Sequence, residues 1–251
     1  MLNHIKWPVA IALAFSVSQT YAQHSDVIFD IDAGQIVLEG EPHDHEEEGH
    51  AEEEEHAGPV LTQNGKFLYE TDFGDFGGGP YLTDDPGFAS HEETGVLNSG
   101  EVIGFSGVGS LQYWDGFNWS TTTDDVVSVL DIMGETTDFT SSGVNHGSST
   151  FIDAADSSGG FHAHVDFSIN SDADIGAYLI EMMLLGLDST GASTVYASSE
   201  TFYIAFNNGL TEQAYEASVD ALAAVPVPAA AWLFGSALIG LAGIGRKKAK
   251  G

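Results

Sequence analysis

Apolar and polar positions alternate along much of this chain, with the period of a strand. Residues 26–38, DVIFDIDAGQIVL, predict an opening strand or hairpin around Ala33-Gly34. Residues 74–88, GDFGGGPYLTDDPGF, predict a loop. From Glu101 onward short strands recur at 102–105, 110–114, 117–120 and 126–132, separated by Gly, Asp and Thr clusters. Asp115-Gly116, between LQYW and FNW, predicts a hairpin with a type I′ turn, which needs positive φ at both central positions. Residues 161–169, FHAHVDFSI, alternate strictly, and residues 176–187 are apolar on both faces, as a central strand is. Strands at 194–197 and 201–206 follow. A helical period emerges only at 211–224, where Thr211 suits a cap, Glu212 the first turn, and Tyr215, Val219 and Leu222 share a face. Many short strands, glycine-rich turns and one helix predict an all-β fold, a β-sandwich of jelly-roll or immunoglobulin-like type with one C-terminal helix.

Three stretches break the alternation. Residues 43–56, HDHEEEGHAEEEEH, hold four histidines and eight acids, with no apolar side chain larger than alanine. Such a run cannot build a core and predicts a mobile acidic insert at 39–58. Residues 1–22 join a basic start (Lys6), an apolar run and Thr20-Tyr21-Ala22, the pattern of a Sec-type signal peptide cut after Ala22. Residues 229–245 carry no charge and lead directly into Arg246, Lys247 and Lys248. They predict a short transmembrane helix, since spanning takes about 17–25 residues, with the C-terminus held in the cytoplasm by the basic flank. The domain plan is therefore a signal peptide (1–22), an exported β domain (23–210), a helix (211–224) and a C-terminal segment (225–251).

Charge narrows the partners. The 251 residues contain 38 acids and 6 basic residues, for a net −32. All the acids lie between Lys6 and Arg246, and the one basic residue among them is Lys66. A field of that sign repels nucleic acid and attracts cations, so no nucleic-acid partner is expected. Plain solubility is the other reading of the same acidity. There is no cysteine, so the exported domain must stand on its core, for which roughly 200 residues suffice.

Histidine spacing supplies the candidate chemistry. In 161–169 the polar positions are His162, His164, Asp166 and Ser168, and period 2 projects all of them from one face. Two histidines at i and i+2 on a strand can share one Zn²⁺ through their ring nitrogens. His146, His91, Asp166 or another carboxylate would complete the set. The alternative is the wet face of an outer strand, where histidines are ordinary. In the acidic run His43, His45, His50 and His56 stand at spacings that no single helical face collects. A rigid tetrahedral site is not expected there, but imidazoles among carboxylates suit Zn²⁺, Ni²⁺ or Cu²⁺ in a loop that wraps the ion, and binding should weaken as pH falls. A solvated acidic spacer is the competing reading.

Two resemblances add to this. Pro226-Val227-Pro228, Trp232-Leu233-Phe234-Gly235, the glycine-spaced apolar stretch and the tail at Arg246 and Lys247 resemble a PEP-CTERM sorting signal, with Pro-Val-Pro in place of the usual Pro-Glu-Pro. That resemblance implies a Gram-negative-type bacterium; export by the Sec translocon is what residues 1–22 predict, and an inner-membrane precursor is what the apolar stretch predicts. The resemblance also implies cleavage by an exosortase near the prolines and delivery to the cell surface or extracellular matrix. Residues 160–185, with His162, His164, Phe167, Gly176 and Tyr178, resemble the central motif of a PEP-CTERM subfamily repressed by the zinc uptake regulator. LQYWDG at 111–116 and FNNGL at 206–210 also fit that subfamily. It implies zinc homeostasis at the cell surface.

Enzyme readings find little purchase. There is no G-x-S-x-G, no HExxH and no cysteine nucleophile, and Gly77-Gly78-Gly79 lacks the lysine and the strand-to-helix setting of a phosphate loop. Asn170, Asp172, Asp174 and Glu181 fall near EF-hand spacing, but Ile175 stands where that loop needs glycine. Tyr113, Trp114, Phe117 and Trp119 read as hairpin and core, or as a sugar-stacking platform. The expectation is a non-catalytic, metal-binding surface protein. The alternatives are a structural matrix or biofilm protein and a carbohydrate-binding module.

Overall fold

The alternating stretches fold as strands. The computed structural model describes residues 26–40, 59–75, 78–121 and 123–223. The expected signal peptide, the 43–56 run and the 225–251 segment lie outside the described residues. Among the described residues no helix is long and apolar enough to cross a membrane.

In chain order the strands are β1 (Val27–Asp32), β2 (Gln35–Leu38), β3 (Val60–Leu61), β4 (Phe67–Asp72), β5 (Leu82–Thr83), β6 (Phe88–Ser90), β7 (Val102–Trp114), β8 (Trp119–Ser120) and β9 (Val127–Leu130). There follow β10 (Thr136–Thr140), β11 (Gly143–Asn145), β12 (Phe151–Ala154), β13 (His162–Ala163), β14 (Asp166–Ile169), β15 (Gly176–Leu187), β16 (Thr194–Tyr196), β17 (Phe202–Asn208) and the helix α1 (Glu212–Asp220). They make three open sheets. The first runs β13-β6-β1-β2 and the second β11-β10-β9-β14-β5. The third runs β12-β7-β15-β17-β4-β3, with β8 beside β7 and β16 beside β15. Neighbouring strands are antiparallel except for β1 with β6 and β4 with β17.

The inner faces of all three sheets meet in one core. Phe29 and Phe88 come from the first sheet, Val129 and Phe167 from the second, and Phe105, Ile180 and Phe206 from the third. Burying each such side chain contributes about 1.5–3 kcal/mol, which is how a chain without disulfides holds layered sheets together. The two-faced apolar pattern at 176–187 is explained by its neighbours. β15 lies between β7 and β17. Its Tyr178, Ile180, Met182 and Leu184 join the central core, while Ala177 and Leu179 join a second cluster with Leu68, Trp114 and Ala205 under Tyr215 and Val219 of α1. The Tyr215 hydroxyl donates to the Ala205 carbonyl at 2.8 Å, tying the helix to β17.

Several expectations change. Residues 102–105 and 110–114 are one strand, β7, not two. The glycines between them bend it rather than end it. Gly109 takes φ +69°, and residues 109–111 bulge opposite Ile180. Gly107 leaves room for Phe139, whose ring would lie 2.6 Å from a Cβ there. The β7–β8 hairpin forms, but its turn is not type I′. Trp114 pairs with Trp119 across a four-residue loop, and Asp115 Oδ1 accepts from the amides of Phe117 and Asn118 at 2.8 and 2.7 Å. Positive φ at two successive positions occurs instead at Ala33 (48°) and Gly34 (83°), between the paired Asp32 and Gln35. The helix is shorter than 211–224, and the Thr211 side chain makes no capping bond. Weakly alternating β10, β11 and β12 are strands that the pattern does not predict. All three are half-exposed: β10 pairs with β9, β11 with β10, and β12 with β7.

Candidate metal centre

The stretch 161–169 keeps its alternation but not its unity. Phe161, Ala163, Val165, Phe167 and Ile169 are buried, and His162, His164 and Asp166 are exposed. Between His164 and Val165, however, the chain leaves one sheet for another: β13 pairs with β6, whereas β14 lies between β9 and β5. His162 and His164 therefore stay at the first sheet, ring centroids 5.3 Å apart, and Asp166 goes to the second, opposite Leu130.

The first sheet brings a third ligand. His162 pairs with Ala89 of β6, and β6 runs parallel to β1, so Asp26, just before β1, arrives beside Gly87, just before β6. Asp26 Oδ2 lies 3.2 Å from His162 Nε2, and Asp26 Oδ1 accepts from the Gly87 amide at 3.1 Å. One ligand atom each from Asp26, His162 and His164 falls within 4.8 Å of the others. On the far side of the His164 ring, Nδ1 is 2.9 Å from the carbonyl oxygen of Asp84 and 3.9 Å from Asp85 Oδ1. Asp84, Asp85 and His164 form a second group of donors within the same mutual distance. The two groups share His164.

The first set fits a borderline ion. Zinc bonds of about 2.0–2.1 Å in tetrahedral geometry put ligand atoms about 3.4 Å apart. The His162–Asp26 separation is already close to that. Two imidazoles and a carboxylate favour Zn²⁺, Cu²⁺ or Ni²⁺ over Ca²⁺ or Mg²⁺, which take oxygen. The place is open, with the His162 side chain 64% exposed.

The other candidates lie elsewhere. His91 follows β6 at its opposite end, where Nδ1 pairs with Glu39 and Nε2 stands 4.0 Å from Glu92. His146 is exposed just past β11. Neither of these, nor Asp166, belongs to either donor group. His43, His45, His50 and His56 lie outside the described residues, as do Pro226, Pro228, Trp232, Arg246 and Lys247. Asp26, Asp84 and Asp85 are additions that sequence reasoning misses. No local spacing announces them, because they reach the histidines only through the β1–β6–β13 pairing.

The EF-hand-like spacing has a structural use. Asn170 Nδ2 donates to Asp172 at 2.9 Å and to Asp125 at 3.2 Å, while Glu181 pairs with Lys66 on the outward face of β15. The Tyr178 hydroxyl lies 2.7 Å from both Asp125 Oδ2 and the Asp174 carbonyl. Burial pushes the Asp125 carboxyl up, but bonds from Tyr178, Thr123 and Asn170 outweigh it and hold the group below the usual carboxylate range. Gly176 leaves room for Tyr113, whose ring would lie 2.2 Å from a Cβ there. Gly176 and Tyr178 thus serve the sheet. The aromatic hairpin is divided: Trp114 is buried beside Trp119, whose Nε1 donates to the Ser218 carbonyl at 2.9 Å, and Phe117 alone is 84% exposed.

Comparison with known proteins leaves this geometry to speak for itself: no family model matches the chain, nor does any curated protein or solved structure.

Proposed function

We propose that this chain is an exported, non-catalytic cell-surface protein that binds Zn²⁺ or a similar divalent transition metal through Asp26, His162 and His164. The observation that carries the reading is the convergence of these three side chains from separate segments, with their ligand atoms within 4.8 Å of one another. The net negative charge supports it by concentrating cations near the surface. In this reading the histidines of 43–56 add a second, weaker capture element. The signal-like start and the sorting-like end supply export, an exosortase-processed membrane precursor and surface delivery. Binding rather than catalysis is favoured by the openness of the site. A hydrolytic centre needs a cleft to hold its substrate, and His162 stands on the edge strand of an open sheet.

Calorimetric titration of the purified protein with Zn²⁺ tests this, beside a variant lacking residues 43–56. One tight equivalent should survive the deletion and vanish in His162→Ala/His164→Ala. Tight binding lost with residues 43–56 would move the metal to the acidic run. No tight binding by either form would leave a hydrated structural surface protein as the better account.

A further inference from the structure

We infer that the segment Asp84 to Gly87 selects the nitrogen through which His164 holds metal, and does so before any ion arrives. This rests on the metal reading above and adds how its ligand is prepared. A carbonyl oxygen only accepts hydrogen bonds, so the 2.9 Å contact from His164 Nδ1 to the Asp84 carbonyl puts the ring proton on Nδ1. Nε2 is then the nitrogen with a free lone pair. Its direction is set by Gly87. A Cβ on Gly87 would lie 2.8 Å from His164 Nε2, 2.6 Å from His164 Cε1 and 2.7 Å from Asp26 Oδ1. The ring edge bearing Nε2 and the carboxylate therefore rest side by side on a backbone that has no side chain to part them. The same Gly87 donates its amide to Asp26 Oδ1 at 3.1 Å, holding the second ligand in place.

The arrangement decides between the two donor groups. Asp84 and Asp85 flank the protonated nitrogen, so an ion beside them cannot use His164 while the Asp84 contact stands. The protein takes one ion at this place, on the Asp26 side, and Gly87 and the Asp84 carbonyl are positioning elements rather than ligands. Partners of this kind on ligating histidines typically change metal affinity by about 10–100-fold.

Long-range ¹H–¹⁵N correlation spectra of the labelled, metal-free protein at about pH 8, above the usual histidine range, should show His164 as the Nδ1–H tautomer. Gly87→Ala should weaken Zn²⁺ binding by about 10-fold or more while leaving the melting temperature of the metal-free protein close to that of the wild type. Asp85→Asn should bind Zn²⁺ with unchanged stoichiometry. An Nε2–H tautomer, full affinity in a folded Gly87→Ala variant, or loss of the tight equivalent in Asp85→Asn would each overturn the inference. The two readings fail separately. An Nδ1–H tautomer without tight zinc binding defeats the zinc reading alone, and an Nε2–H tautomer with tight zinc binding defeats this one alone.

Discussion

At the scale of the residue, the chain shows two opposite treatments of a buried polar group. Asp131 is 4% exposed, yet its carboxylate accepts from Ser149 and from the amides of Met133, Glu135 and Phe151. Burial pushes this carboxyl up, and those bonds outweigh it and hold it below the usual range. Tyr69 is the contrary case. Its ring packs edge-on against Phe202, 5.7 Å between centroids, and its hydroxyl has no hydrogen-bond partner among the described residues. Burial pushes its phenol well above the ordinary range. Leaving a buried hydroxyl unsatisfied costs about 1–3 kcal/mol. Tyr69→Phe should therefore raise unfolding stability by about 1 kcal/mol in urea denaturation, with an unchanged slope. A loss of stability would reveal a partner for the hydroxyl.

At the scale of the element, the β1–β2 hairpin has the right turn with an unfavourable residue. Ala33 holds φ 48° beside Gly34 at 83°. A left-handed conformation costs a non-glycine residue roughly 1–2 kcal/mol, and Asn tolerates it better. Asn-Gly is also the preferred pair for a type I′ turn. Ala33→Asn should thus raise the midpoint of thermal unfolding, corresponding to about 1 kcal/mol, and leave zinc stoichiometry unchanged. A lower midpoint would mean that the Ala33 methyl makes a contact worth more than the strain. The hairpin was legible at 26–38 from alternation alone. The turn types were not, because Asp115-Gly116 has the better local signature, while Trp114 and Trp119 are joined by a four-residue loop closed on the Asp115 carboxylate.

At the scale of the whole molecule, charge is the dominant fact. A domain with 38 acids and Lys66 as its basic residue between the terminal segments repels itself at low ionic strength. Lys66 acts only locally, pairing with Glu181 and lying 5.0 Å from the centre of the Tyr203 ring. Screening should therefore stabilise the fold. The melting temperature of the metal-free protein should rise as NaCl goes from about 0.01 M to about 1 M, across which the Debye length falls from about 30 Å to about 3 Å. A melting temperature indifferent to salt would show that the acids are spaced widely enough not to oppose folding.

The sequence by itself determined which way side chains point. Period 2 is a local property of extended backbone, so the exposure of His162 and His164 and the burial of Phe161, Val165 and Phe167 could be read from nine residues. It also determined the all-β class and the place of β15 at the centre of its sheet, because a strand covered on both faces is apolar on both. Only the tertiary structure decided which segments become neighbours. Backbone hydrogen bonds join β1 to β6 across some sixty residues without regard to side-chain identity. Asp26 therefore carries no mark of its partnership with His162. Nor does a continuous alternation disclose that the chain changes sheets after His164, taking Asp166 away from the two histidines.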